Sequence, residues 1–290
     1  PLLFISQQIN GSSNYVASPG ETLNYKISFR NIGNTPFNDL FMFVRLSSDA
    51  FDLSTLESPN GEVRQSDSLV AWDYKTVQDL KLLNPQQEGQ VEFSVKLKNN
   101  WDVSDAEKNN MVIVDRVDIS QISQEFQTKV NSKLEFSQNA YYSEQNGISN
   151  SGVMPPIVGQ PTTYAITWQV RSVFNDVKNV KVKATLPMGV NLTGRTYPNS
   201  EISNFSLDSN SREIVWSVGD LTANSGSRSI TFQVSFTPSY TQRGAAGILI
   251  NDAIVYAEDQ FTGTVSEART APITTNLTSD PAWVNKGIIQ

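Results

Sequence analysis

Apolar residues fall at every second position along most of this chain, in short runs bounded by turn residues, which predicts β-strands with one face buried. Leu23, Tyr25, Ile27 and Phe29 make one such run, and Val91, Phe93, Val95 and Leu97 make another. Both recur further on, as Tyr164, Ile166 and Trp168 and as Ile230, Phe232, Val234 and Phe236. Tyr25 to Tyr164 and Val91 to Ile230 are each 139 residues apart, so the chain is read as two copies of one unit. In the first copy, seven strands are expected at Leu2–Ile9, Leu23–Arg30, Asp39–Leu46, Leu69–Tyr74, Val91–Lys98, Met111–Ser120 and Glu125–Val130. In the second they are expected at Lys133–Tyr142, Thr162–Ser172, Val180–Leu186, Glu213–Val218, Ser229–Thr237, Ala253–Glu258 and Val265–Thr274, with an extra strand near Ile202–Leu207. The best helical candidates, Leu53–Leu56 and Asp102–Asn109, are short and are read as loop turns. The expected fold class is therefore all-β, two tandem immunoglobulin-like β-sandwich domains of about seven strands each.

Residues 1–131 are expected to form the first sandwich, a divergent copy, and residues 132–279 the second, with residues 280–290 as a C-terminal tail. The join near Asn131–Lys133 holds no Gly/Ser-rich or Pro-rich linker, and a short link favours a semi-rigid rod. The 15-residue span Ser143–Ile157 is an insertion with no counterpart in the first copy, a place where adaptation to a partner could sit.

Composition removes most reaction classes. The 290 residues contain neither Cys nor His, so thiolate nucleophiles, histidine bases, Ser-His-Asp triads and Cys/His zinc sites are excluded within the chain. Any metal site would be all-oxygen; Asp102, Asp105 and Glu107 are weak calcium candidates whose spacing does not match a calcium-wrapping loop. No cofactor is expected. A net charge of −7 with no basic stripe argues against nucleic acid and anionic lipid as partners. No apolar run reaches the roughly 18 residues that a membrane-spanning helix requires. The chain opens on Pro1 rather than Met and is read as a fragment whose signal or anchor lies elsewhere.

Trp72 and Trp216 sit at equivalent places in alternating strands and are read as core anchors. Trp101 and Trp283 fall outside that frame; with Tyr141 and Tyr142 they are the candidate ligand contacts, and Tyr197 and Tyr240 are further rings to inspect. Lys26 and Lys96 alternate with apolar neighbours and are expected to point outward, which disfavours a Lys–Asn isopeptide crosslink. Paired carboxylates of the kind that hydrolyse glycosides are not identifiable from spacing.

Several phrases resemble bacterial cell-surface immunoglobulin-like "conserved repeat" domains. These are Ser18-Pro19-Gly20-Glu21-Thr22-Leu23, the turn Asn31-Ile32-Gly33-Asn34, the segment Leu186-Pro187-Met188-Gly189-Val190, and Trp216-Ser217-Val218-Gly219-Asp220-Leu221. The first copy has Leu46-Ser47-Ser48 in place of the Leu-Pro-x-Gly piece. Pro155-Pro156-Ile157-Val158-Gly159 and Ile273-Thr274-Thr275-Asn276-Leu277 are similar to the C-terminal region of large surface proteins of ultra-small uncultivated bacteria. The resemblance implies an extracellular cell-surface setting and brings no catalytic residues. The expected role is a non-enzymatic structural or adhesive module, whether spacer, stalk, envelope layer or filament component. Its expected partners are other surface-protein domains or protomers, and glycans are a further candidate. The alternative is a carbohydrate-binding accessory module, which would need exposed coplanar rings on one sheet face.

Overall fold

A computed structural model describes residues 2–103 and 110–290. The chain divides into two compact units, Pro1–Asn131 and Ser132–Gln290. Each is an immunoglobulin-like β-sandwich.

In the first unit nine strands carry the fold: β1 (Leu3–Ile9), β2 (Thr22–Asn31), β3 (Phe41–Leu46), β4 (Phe51–Glu57), β5 (Glu62–Arg64), β6 (Leu69–Asp73), β7 (Glu88–Leu97), β8 (Val112–Ile119) and β9 (Ile122–Val130). One sheet has the order β1-β2-β7-β4, and the other contains β9-β8-β3-β6-β5. In the second unit the strands are β10 (Lys133–Tyr141), β11 (Thr162–Val173), β12 (Val177–Thr185), β13 (Val190–Tyr197), β14 (Phe205–Leu207), β15 (Glu213–Leu221), β16 (Arg228–Phe236), β17 (Ala253–Asp259) and β18 (Val265–Thr270). Their orders are β10-β11-β16-β13 and β18-β17-β12-β15-β14, which correspond strand for strand to those of the first unit.

The alternation sorts residues as the pleat demands. In β2 and β7, Leu23, Tyr25, Ile27, Phe29, Val91, Phe93, Val95 and Leu97 are buried. Met42, Val44, Val70 and Trp72 of the opposite sheet are buried as well. Tyr25 and Phe93 stack with centroids 4.5 Å apart, and Trp72 lies 6.2 Å from Phe93. The second core is built around Trp168 and Trp216, both fully buried. Trp168 meets Phe232 edge to face at 5.0 Å and donates its indole N–H to Gln138 Oε1 at 2.7 Å. Burying each such ring contributes about 1.5–3 kcal/mol or more, and the buried indole N–H groups need acceptors.

The structure departs from the sequence reading at β4 and β5 in the first unit and at β13 and β14 in the second. Leu53–Leu56, expected as a turn, lies inside β4, and β13 was not anticipated at all. Both strands are bulged. β4 pairs with β7 at Glu57–Ser94 and then at Asp52–Lys96, so four residues face one. β13 pairs with β16 at Leu192–Val234 and then at Thr196–Phe232. A bulge breaks the period of two, which removes the signal, and it twists an edge away from pairing with another chain. The expected strand at Ile202–Leu207 is half a 3-10 turn, Asn199–Asn204, followed by β14. The span 280–290, expected as a tail, packs into the second unit: Ile289 is buried, and Gln290 N–H donates to Pro156 O at 2.9 Å.

The motif residues turn out to be structural. Gly189 has φ +86° in the turn before β13, where Val190 N–H reaches Pro187 O at 3.2 Å. Gly219 has φ +87° opposite a register shift in β12, a conformation that glycine adopts without strain. Among the described residues no helix is long and apolar enough to cross a membrane.

Candidate functional site

The outward positions of the β1-β2-β7-β4 sheet carry an open depression of about 630 Å³. The pleat places Asn24 and Lys26 of β2 beside Glu92 and Ser94 of β7, with Lys26 directly opposite Glu92. One wall is the end of β4, where the bulge holds Glu57 against Ser94; Ser94 Oγ donates to Glu57 Oε1 at 3.1 Å. Ser58 Oγ donates to the Glu92 carbonyl at 2.8 Å. The other wall is the turn after β1, where Asn10 Oδ1 accepts from Asn24 N–H at 3.0 Å and Asn24 Nδ2 at 2.8 Å. The surface offers carboxylates, an ammonium and amides at hydrogen-bonding range. The only rings along it, Tyr25 and Phe93, are buried beneath the sheet. It suits a polar, hydroxyl- or charge-bearing ligand rather than a ring stacked on an aromatic face.

The equivalent face of the second unit is covered. The offset of 139 places Thr231 and Gln233 where the first unit has Glu92 and Ser94, and the residues facing them across the ladder are Thr167 and Ala165 where the first unit has Lys26 and Asn24. The insertion Ser143–Ile157 lies over them. Asn146 Nδ2 donates to Thr231 Oγ1 at 2.9 Å, and Gln233 Nε2 donates to Ser149 O at 3.0 Å and Asn150 Oδ1 at 2.9 Å. Thr231 and Gln233 are buried as a result.

Three of the four expected ligand contacts fall in the second unit. Tyr142 and Trp283 meet edge to face at 4.9 Å, with planes 74° apart. Their rings therefore share no plane on which a sugar could stack. Tyr142 Oη also donates to Gly152 O at 2.7 Å, and Lys286 Nζ lies 5.4 Å from the Trp283 ring centre. Tyr141, at the end of β10, is half-buried; burial, and then the Asp280 charge, raise its pKa. Trp101, half-buried, belongs to the first unit. Tyr197 and Tyr240 are exposed. Asp102 is exposed, whereas Asp105 and Glu107 lie outside the described residues, as does most of the span Asp102–Asn109. Among the described residues no group of three or more metal-ligating side chains comes together.

Of the three carboxylates that the second unit buries, sequence reasoning considered Asp259, beside Glu258, as a member of an acidic pair and passed over Glu201 and Asp280. Asp280 Oδ2 accepts from the Tyr142 and Ser143 N–H groups at 2.9 and 2.8 Å, and its Oδ1 accepts from Ser143 Oγ. Asp259 accepts from Ser132 N–H at 2.6 Å, Asn175 Nδ2 at 3.0 Å and the N–H groups of Phe261 and Thr262. Glu201 accepts from the Trp216 indole at 2.8 Å and pairs with Arg228. For all three, burial pushes the pKa up, but these hydrogen bonds outweigh it and hold the carboxyls below their ordinary values. They fasten loops to strands. Their signal in the sequence was slight: one acidic residue in each of three loop or strand-end positions.

The family model described as "Domain of unknown function (DUF7619)" matches residues 5–129, within the first unit. No curated protein matches the chain. Among solved structures, the chain is similar to the C-terminal domain of the Streptococcus agalactiae AgI/II polypeptide BspA at 11% identity, covering 93% of this chain and 99% of that one, with a TM-score of 0.33. A second structure, titled BspA_C_WT, gives the same values.

Proposed function

We propose that this chain is a non-enzymatic structural or adhesive module of a bacterial cell-surface protein, placed outside the cell as a spacer, stalk, envelope-layer or filament component. One observation carries this reading. The two sandwiches share one strand order, and the second commits its buried carboxylates, Glu201, Asp259 and Asp280, to fastening loops, each held by several hydrogen bonds instead of facing a cleft. The Leu-Pro-x-Gly and Trp-x-x-Gly-x-Leu segments, which resemble surface repeat domains, support the extracellular setting. Mechanical resistance follows from the long antiparallel ladders of β2 with β7 and of β11 with β16. Partners are neighbouring surface domains or protomers. The test is protease shaving of intact cells, followed by single-molecule pulling of the chain. Release of this region from intact cells and two discrete unfolding events per chain are expected. Protection of the region until lysis would count against it, and so would turnover of a glycan or peptide panel.

A second reading, glycan binding, is favoured by the polar depression on the first unit. A glycan array on the full chain checks it: binding that Lys26→Ala weakens supports the reading, and a blank array removes it.

A further inference from the structure

Three buried polar side chains in the first unit have no part in the readings above. Gln7 on β1, Tyr25 on β2 and Asp115 on β8 are 9%, 1% and 1% exposed. Gln7 Nε2 donates to Asp115 Oδ1 at 2.9 Å. Three oxygens, Gln7 Oε1, Tyr25 Oη and Asp115 Oδ2, are buried with no hydrogen-bond partner. Native interiors leave few such atoms, and here three share one neighbourhood.

Counting donors and acceptors shows what is missing. An ionised Asp115 only accepts, so a buried negative charge would be supported by one neutral amide, with the Tyr25 hydroxyl, the cluster's other donor, left unpartnered. Among the described residues no Lys or Arg forms an ion pair with Asp115. The titratable groups that act on it are Tyr25 from β2 and Glu125 from β9, and a neighbouring carboxylate disfavours a second negative charge. β1 presents Gln7, and β3 places Leu46 opposite; neither is charged. One proton on Oδ2 removes the buried charge and gives the carboxyl a donor of its own.

We propose that Gln7, Tyr25 and Asp115 form a buried proton-binding site, which keeps the first unit tightly packed while Asp115 is neutral and loosens it when Asp115 ionises. Burial is the main cause, opposed by the Gln7 hydrogen bond and reinforced by Glu125; together they push the Asp115 pKa up from 3.8 to about 7. The folded unit therefore holds its proton where the unfolded chain has lost it. The stabilisation is complete below the unfolded value and is lost as pH rises through about 7.

The test is a carbon-13 NMR titration of the Asp115 carboxyl in the full chain, with amide hydrogen exchange followed on β8 and β17. A midpoint near 7 instead of near 3.8 is expected, with exchange on β8 quickening above it. Asp115→Asn keeps the shape of the neutral acid and is expected to abolish that pH dependence on β8 while leaving β17 unchanged. A midpoint at the ordinary carboxylate value overturns the proposal, as does quickened exchange on β8 that persists in Asp115→Asn. The titration of the unaltered chain decides the matter even if the variant does not fold.

Discussion

One face of one sheet is open in the first unit and covered in the second, on the same strand order. The difference lies in what points outward. The first unit presents the facing pair Lys26 and Glu92, the second the facing pair Thr167 and Thr231. A loop laid over Lys26 and Glu92 would strip water from two charges and leave them supported only by each other, which rarely recovers the desolvation cost. Over Thr167, Thr231 and Gln233 it meets neutral groups, and Asn146, Ser149 and Asn150 satisfy the last two. The core fixes the sandwich, and the outward residues decide whether a face stays available to a partner.

The two units should also part company in acid, which is the largest effect expected. Glu201, Asp259 and Asp280 have pKa values held below the ordinary ones. Their stabilisation is present above the unfolded values and lost as pH falls through the folded ones. The second unit should therefore unfold on acidification while the first, with Asp115 protonated, keeps its packing. Tryptophan fluorescence and unit-resolved hydrogen exchange along an acid titration check this; simultaneous loss of both units would erase the contrast.

Next comes the core. Trp216→Ala should cost the second unit about 3–5 kcal/mol, the usual range for a large aromatic in a packed interior. It also leaves Glu201 without its indole donor. Trp72→Ala, the equivalent change in the first unit, removes a ring that packs on Phe93 and should fall at the lower end of that range. Urea denaturation of each variant measures both.

Thr231→Glu places the first unit's residue type beneath the second unit's loop. The loop should lift, forfeiting three side-chain hydrogen bonds, about 2–4 kcal/mol in all. Limited proteolysis within Ser143–Ile157 reports it: cutting should speed up in the variant, and unchanged resistance would mean that the loop is held elsewhere.

How far the sequence reached follows from these same residues. The cores were legible because alternation is a direct image of the pleat: Leu23 to Phe29 and Ile230 to Phe236 sit inward as read. β4 and β13 were not, since a bulge separates the buried Phe51 and Leu56 by five positions, a spacing that fits neither strand nor helix. The insertion stood out by lacking a counterpart, but its resting place depends on Thr231 and Gln233 across the chain. The open depression was hidden because Lys26 and Glu92 read as ordinary outward positions, and its depth comes from the unread bulge. Asp115 carried a usable signal, falling in phase with the inward Ile113, Val117 and Ile119, as does Gln7 between Ile5 and Ile9.

The smallest effect is the converse change. Glu92→Thr gives the first unit the second unit's residue at an open position, away from any core contact. Surface changes of that kind stay within about 0.5 kcal/mol, so urea midpoints should barely move. If the face serves a ligand, the same change should weaken its binding, because Glu92 lines the depression opposite Lys26. A variant equal to the parent in stability but altered in binding would separate what the outward residues do from what the core does. A measurable loss of stability would instead show that Glu92 and Lys26 support the sheet itself, and the open face would then owe its charges to folding.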